Sequence, residues 1–392
     1  MLVYNEDRLK KDFAANFGRP YQQCSLSVMD TITDPNITFD QNGVSNYYYE
    51  YKQHAAESVF EGAEGEQKLQ ELVTKIRASG EGKKYDCITG VSGGVDSTYL
   101  ALKAKKLGLR PLIVHFDNGW NSEIAVKNIE NVIQKLGFDL YTLVVDWNEF
   151  RDIQLAYIKA SVVDIEAITD HAIIGTLYKL AAKYNIKYIL SGNNVVTEAT
   201  LPRHWIWSKT DHRNIQDIHK KFGTIRLKTY PFFSTKEKKY YGQIKGIETV
   251  YPLNYLPYNK AEVKQVITNE LNWVDYGGKH YESVFTRFYQ GYILPIKFGI
   301  DKRKAHLSNL IFSGQIDKPS ALRTLSEPIY DAELMRTDYE FILKKFNLSA
   351  QEFDALMHIP RQEHSYYDYE KSIWERYPIL NPLRPLWRVI SG

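Results

Sequence analysis

The sequence predicts an α/β protein built on a doubly wound parallel sheet. Three observations carry that expectation. Short apolar runs alternate with amphipathic helical stretches between about residues 85 and 192, a glycine-rich loop follows the first run directly, and turn residues mark most changes of pattern.

Taken in order, residues 1 to about 57 are polar and turn-rich, with Asp34-Pro35-Asn36 and Asn42-Gly43, and they read as a small irregular element. From Gly62, apolar residues recur at helical spacing (Leu69, Leu72, Val73, Ile76) until Ser79-Gly80-Glu81-Gly82 stops them. Tyr85 to Val91 reads as a buried strand, followed by the glycine loop and a helix carrying Tyr99, Leu100, Leu102 and Leu107. Pro111 to Asp117 repeats the strand, and a helix begins at Ser122. Leu140 to Asp146 is the third strand, Glu149 to Val163 is helical, and Thr169-Asp170 is a candidate N-cap for the next helix. Ile186 to Gly192 is the fourth strand. Beyond Pro252 the alternation stops, and helical patterns run from Lys260 to Leu271, from Tyr281 to Tyr292 and through several stretches after Asp317. The expected domains are an N-terminal element at 1–57, an α/β domain at 58–255, and a mostly helical region at 256–392 that carries substrate and partner contacts.

Composition excludes several function classes. At 392 residues the chain is long enough for two or three domains, at about 150 residues each. Fifty Lys and Arg stand against 47 Asp and Glu, so no polybasic surface for nucleic acid is expected. Two cysteines, Cys24 and Cys87, exclude a disulfide framework and fit a reducing compartment. The charged N-terminus lacks a signal-peptide pattern, and no apolar run reaches the ~18 residues of a membrane span, so a cytoplasmic location without membrane insertion is expected.

The chemistry is concentrated in Val91-Ser92-Gly93-Gly94-Val95-Asp96-Ser97, between the first strand and its helix. Glycines let backbone N–H groups close around a phosphate, the helix N-terminus adds its positive dipole end, and Ser92 and Ser97 add hydroxyls. Walker A lysine and Gly-x-Gly-x-x-Gly are both absent, so a different nucleotide site is implied. The segment resembles the pyrophosphate-binding loop of the PP-loop (N-type) ATP pyrophosphatases, which share an adenine nucleotide α-hydrolase-like fold. That resemblance implies that Ser92, Gly93, Gly94, Val95, Asp96 and Ser97 grip the leaving pyrophosphate of ATP, with Asp96 holding Mg²⁺. It places the adenosine near the backbone of Val114, His115 and Phe116, and makes Gly192, in Ser191-Gly192-Asn193-Asn194, part of a second nucleotide-facing segment. Lys297 and Arg303 can neutralise the triphosphate as pyrophosphate departs; the alternative is a solvated charged loop.

Longer blocks resemble one branch, the N-acetyl sugar amidotransferases of surface-polysaccharide (lipopolysaccharide O-antigen) biosynthesis. They are Val28-Met29-Asp30-Thr31 with Asp34 to Asp40 and Asn42-Gly43-Val44, then Thr169-Asp170-His171-Ala172, Asp275 to Ser283, and Phe285 to Gln290. The resemblance implies conversion of an acetamido group on a nucleotide-linked sugar into an acetamidino group through an O-adenylated imidate, with release of AMP and pyrophosphate. Asp170, His171, Lys279, His280, Tyr281 and Arg287 are the substrate candidates, Arg287 because its fork suits a carboxylate or phosphate. Family members carry four cysteines spaced for zinc near the N-terminus, where this chain has Cys24, Ser27, Ser45 and Tyr48, so no zinc is expected. The chain has no Cys-His-Glu glutaminase signature, so the resemblance implies ammonia from a separate glutaminase like that of histidine biosynthesis, with a cyclase-like subunit as a further companion. Two other readings compete: a PP-loop tRNA thiolation enzyme, which lacks its reactive cysteine and basic surface here, and a catalytically silent nucleotide-binding scaffold.

Overall fold

The computed structural model describes residues 6–278, 281–371, 373–376 and 379. Lys279 and His280 lie outside the described residues. The chain order begins with α1 (Glu6–Phe17), α2 (Asn46–Ser58) and α3 (Gly62–Ser79). It continues as β1 (Cys87–Gly90), α4 (Val95–Lys106), β2 (Pro111–Asp117), α5 (Glu123–Leu136), β3 (Leu140–Val144), α6 (Trp147–Ala160), α7 (Ala167–Lys183) and β4 (Tyr188–Leu190). After α8 (Val195–Glu198), α9 (His212–Phe222) and α10 (Thr235–Lys239), β5 (Glu248–Val250) completes the sheet. Then come α11 (Lys260–Leu271), α12 (Val284–Phe288), α13 (Arg303–Phe312), α14 (Lys318–Ser326), α15 (Ala332–Phe346) and α16 (Ala350–His358).

All five strands are parallel, in the order β3-β2-β1-β4-β5. The chain builds outward from β1 through β2 to β3, then returns to β4 on the other side of β1. The carboxyl ends of β1 and β4 therefore form a topological switch point, where the crossovers diverge and leave a crevice. Cys87, Ile88 and Thr89 are buried, as a strand covered on both faces requires. Ser122 caps α5 by accepting the Ala125 N–H at 3.2 Å, and Gly137, in the left-handed conformation, ends it.

Several expectations need correction. The N-terminal element is not irregular: α1 and α2 are helices, and the tyrosine cluster is a helix burying Tyr47 and Tyr51, the latter against Phe312. Tertiary packing overrides the modest helix propensity of tyrosine there. Thr169-Asp170 is not an N-cap, because α7 starts earlier, after Glu166. The strand β5, absent from the sequence expectation, has three residues, of which only Val250 is buried, too few for an apolar-run signal. The helix expected over Tyr281 to Tyr292 is α12 followed by a π-helical stretch, Tyr289–Phe298, around Pro295, where the missing N–H breaks the regular ladder.

The N-terminal element is bolted to the C-terminal helices. Lys304 on α13, almost wholly buried, holds Asp30 at 2.5 Å and Glu6 at 3.2 Å, and Lys318 donates to the Cys24 carbonyl at 2.6 Å. Cys24, Ser27 and Ser45 are all fully buried; burial pushes the Cys24 thiol up, but its polar surroundings, with the Ser45 N–H 3.3 Å from the sulfur, bring its pKa below the ordinary value. No helix among the described residues is long and apolar enough to cross a membrane.

Candidate active site

The glycine loop leaves β1 at the switch point and enters α4, with Gly94 as the N-cap and Asp96 in the first turn. Gly93 has φ +80°, and a β-carbon there would stand 2.6 Å from the Ala125 carbonyl oxygen, so backbone conformation and close approach both demand glycine. The loop's own bonds are long. Ser92 N–H donates to Ser97 Oγ at 3.4 Å, Gly94 N–H to Ser92 Oγ at 3.3 Å, and Ser97 Oγ to the Gly94 carbonyl at 3.4 Å. Such contacts exchange readily for shorter, charge-assisted bonds to a phosphate. Gly192 closes the other side: a β-carbon on it would lie 3.2 Å from the Ser97 nitrogen.

The loop is held from behind by residues that no motif marked. Trp273 Nε1 donates to the Gly93 carbonyl at 2.9 Å, and the buried Asn128 exchanges two bonds with Val274, at 2.9 and 2.8 Å. Asp96 accepts a short hydrogen bond from the Tyr258 hydroxyl and lies 3.4 Å from Asn194 Nδ2. Burial first, and then the charges of Asp96 and Glu198, push the Tyr258 phenol far above its ordinary range. Tyr276 is raised likewise by burial and then by Glu282 and Asp96.

Glu282 reaches the loop from the far end of the chain. Ser122 N–H donates to the Glu282 carbonyl at 2.8 Å, Val284 N–H to the Trp120 carbonyl at 2.8 Å, and Asn121 bridges Ser283. This short pairing lays the segment before α12 along the loop after β2. A β-carbon on Gly94 would stand 3.4 Å from the Tyr276 hydroxyl and 3.6 Å from Glu282 Oε1. His115, one of the expected nucleotide residues, supports the arrangement from beneath, with Nδ1 3.1 Å from the Val91 carbonyl and Nε2 3.1 Å from Asn121 Nδ2.

Residues 282–381 match the family described as "LPS biosynthesis protein WbpG-like, C-terminal domain". The match covers part of the chain, its C-terminal region, which is similar to that domain. No curated protein matches the chain. Among solved structures, the chain is similar to NMN synthetase from Francisella tularensis, with TM-score 0.36 and 16% identity over 73% of this chain and 97% of that one. It is also similar to the NH₃-dependent NAD synthetase from Campylobacter jejuni, with TM-score 0.31 and 12% identity over 72% and 94%.

The matched region begins at Glu282, a residue that sequence reasoning did not single out, whereas the expected site residues have partners within the fold. Arg287 forms a two-pronged pair with the buried Asp338, at 2.6 and 2.8 Å, and covers the half-buried Tyr281 ring at 5.4 Å, so its fork does not await a substrate. Lys297 donates to the Leu356 carbonyl at 2.5 Å, and burial lowers its pKa to about 8. Arg303 is bound to Asp301 at 2.9 Å and to the Glu327 carbonyl at 2.9 Å, tying α13 to the end of α14. Neither cation has a hydrogen bond or ion pair to the loop, so the structure does not bring these two expected residues together with Ser92 to Ser97. His171 is fully buried: Nδ1 lies 2.8 Å from the Lys209 carbonyl and Nε2 accepts the Phe233 N–H at 2.8 Å. Its neighbour Asp170, half exposed, pairs with Lys209 at 3.1 Å. At the adenosine edge, the Val114 carbonyl already accepts the Val91 N–H at 2.8 Å, and Phe116 packs edge-on against Phe150. The strand backbone there is committed to the sheet.

Among the described residues no three His, Cys, Asp or Glu side chains converge on a metal position. The loop offers instead one carboxylate in a helix first turn, with Glu282 and Glu198 near it. That donor set fits Mg²⁺, which takes one or two carboxylates and completes its shell with phosphate oxygens and water.

Proposed function

We propose that this chain is an ATP-dependent amidotransferase that converts an acetamido group on a nucleotide-linked sugar of surface-polysaccharide biosynthesis into an acetamidino group. The observation that supports the reading most strongly is the meeting of Glu282, first residue of the WbpG-like region, with the glycine loop that carries Asp96. Three acidic side chains around the loop would repel a bare triphosphate, so ATP enters as its Mg²⁺ complex, and the ion supplies charge neutralisation on the phosphates. The loop N–H groups, Ser92, Ser97 and the α4 dipole take the β- and γ-phosphates and stabilise pyrophosphate as it leaves. Tyr258 holds the Asp96 carboxylate in one orientation. The acetamido oxygen attacks the α-phosphorus, which gives an imidoyl adenylate; ammonia adds to the imidate carbon and AMP departs with the former acetamido oxygen. Ammonia comes from a partner glutaminase resembling that of histidine biosynthesis, with a cyclase-like subunit in the same assembly.

Oxygen-18 in the substrate acetyl group tests the route. Heavy AMP with light pyrophosphate is expected in the presence of ammonium ions. Unlabelled AMP alongside an amidine product, or ADP with labelled phosphate, overturns the adenylate. Asp96→Asn keeps the size and one oxygen that can accept the Tyr258 hydrogen bond, so it should remove pyrophosphate release while costing only about 1–2 kcal/mol of stability, read by denaturant unfolding.

A further inference from the structure

A hollow of about 510 Å³ lies beyond the candidate active site, lined by Trp147, Arg151, Phe341, Lys344, Lys345 and Asn347. No acidic side chain lines it, although the chain carries nearly as many acids as bases. Arg151 is half-buried on α6, and its guanidinium makes no hydrogen bond or ion pair with any described residue; the ammonium of Lys344, exposed on α15, makes none either. A guanidinium has five donors, and placing it partly out of water without an acceptor is costly unless an anion arrives. Phe341 leaves 42% of its surface exposed in the wall of the hollow, although Trp120 packs edge-on against its ring and the Lys345 ammonium lies 5.7 Å from its centroid. Lys345 is fixed rather than free: it donates to the Gly119 carbonyl at 2.5 Å and sits 4.0 Å above the Trp147 ring.

Position adds to composition. Gly119 belongs to the loop after β2, the same loop whose Asn121 pairs with Ser283 beside Glu282. Trp147 starts α6, just past the carboxyl end of β3. The hollow and the glycine loop thus share a rim, Asp117 to Asn121, and stand two strand spacings apart, roughly 10 Å, along one edge of the sheet. At φ +78°, with a β-carbon 3.2 Å from Trp147 and 3.3 Å from Lys345 Nζ, Gly119 permits that close rim.

We infer that this hollow binds the nucleoside diphosphate end of the sugar substrate, the base against Phe341 and Trp147 and the phosphates on Arg151 and Lys344, so that the sugar extends over the rim toward Asp96. The inference rests on the proposed reaction for the sugar, but its test does not. The volume falls in the range of small-molecule sites, ~300–1,000 Å³, and the pairing of aromatic rings with unspent cations is the chemistry a nucleotide selects.

Calorimetric titration of the full chain with UDP, in the presence of a saturating non-hydrolysable ATP analogue and Mg²⁺, is the test. UDP should bind without displacing the analogue, more tightly than inorganic pyrophosphate. Arg151→Ala should weaken UDP at least tenfold, and Phe341→Ala should erase the preference for UDP over pyrophosphate, with analogue affinity unchanged in both. Absence of UDP binding, competition between UDP and the analogue, or UDP affinity indifferent to both substitutions overturns the inference. Failure of the analogue to bind would instead count against the proposed ATP chemistry, and the UDP arm can still be read by itself.

Discussion

Arg287 and Asp338 carry opposite charges where little water reaches, and each needs the other. Arg287→Ala leaves Asp338 buried with only the Tyr330 hydroxyl and should cost about 3–5 kcal/mol, read from the denaturant midpoint. A substrate-binding arginine would change KM and leave stability alone. Two histidines set the acid limit. His171 and His364 each use one ring nitrogen to accept a backbone N–H, from Phe233 and from Asp164, and protonation would place two donors face to face. Burial holds them neutral, with pKa values lowered to about 4 and about 3. In the unfolded chain both titrate near ~6.5, so below that pH the unfolded state binds protons the folded state refuses, and stability falls by up to about 1.4 kcal/mol per pH unit for each. Burial raises Glu166 to about 7, which works the other way: the folded state keeps that proton between roughly pH 4.5 and 7 and gains stability as pH falls through the window. Two histidines outweigh one glutamate, so the unfolding midpoint should be lower at pH 5 than at pH 7.5; a rise on acidification would show that these rings are not neutral. The glycine loop from Ser92 to Ser97 was legible in the sequence as a candidate phosphate site because its chemistry is local, and the structure places it at the switch point, between β1 and α4. The partners of Arg287, Lys297 and Arg303 were not legible, because a charge in sequence does not reveal the carbonyl or carboxylate that meets it after folding.

Among elements, the glycine loop depends on its backing. Gly93→Ala meets both an unfavourable φ and the Ala125 carbonyl, so it should cost about 1–3 kcal/mol and abolish binding of an ATP analogue. Trp273→Phe keeps the bulk but loses the bond to the Gly93 carbonyl; it should weaken the analogue several-fold with a loss of stability near 1 kcal/mol, the net worth of one hydrogen bond. Calorimetry and denaturant unfolding on the same samples separate the two effects. The strands β1 to β4 were legible because continuous apolar runs bounded by turns have few other solutions. The loop's backing was not, since Asn128, Tyr258 and Trp273 lie 35 to 180 positions from Gly93 or nearly as far from Asp96, and no periodicity encodes a contact at that range.

In the whole molecule the two ends of the chain are one structure. Lys304→Met strands Asp30, which is fully buried and also receives the Thr33 hydroxyl at 2.8 Å, and should cost about 3–5 kcal/mol. Protease should then cut within residues 6–45 before the sheet is touched, whereas wild type should resist there. Such unity was not readable from composition, which shifts at about 57 and 255 and suggests separable pieces. The pairing of Ser122 and Trp120 with Glu282 and Val284 carries this further, into how the protein can be divided. On the proposed function, a cut at residue 281, where the match to the WbpG-like domain starts, would run through the candidate active site and put Asp96 on one fragment and Glu282 on the other. Neither fragment could work by itself, and activity would return only when both are made together and the two backbone bonds re-form, so the inherited module and the working unit do not share a border.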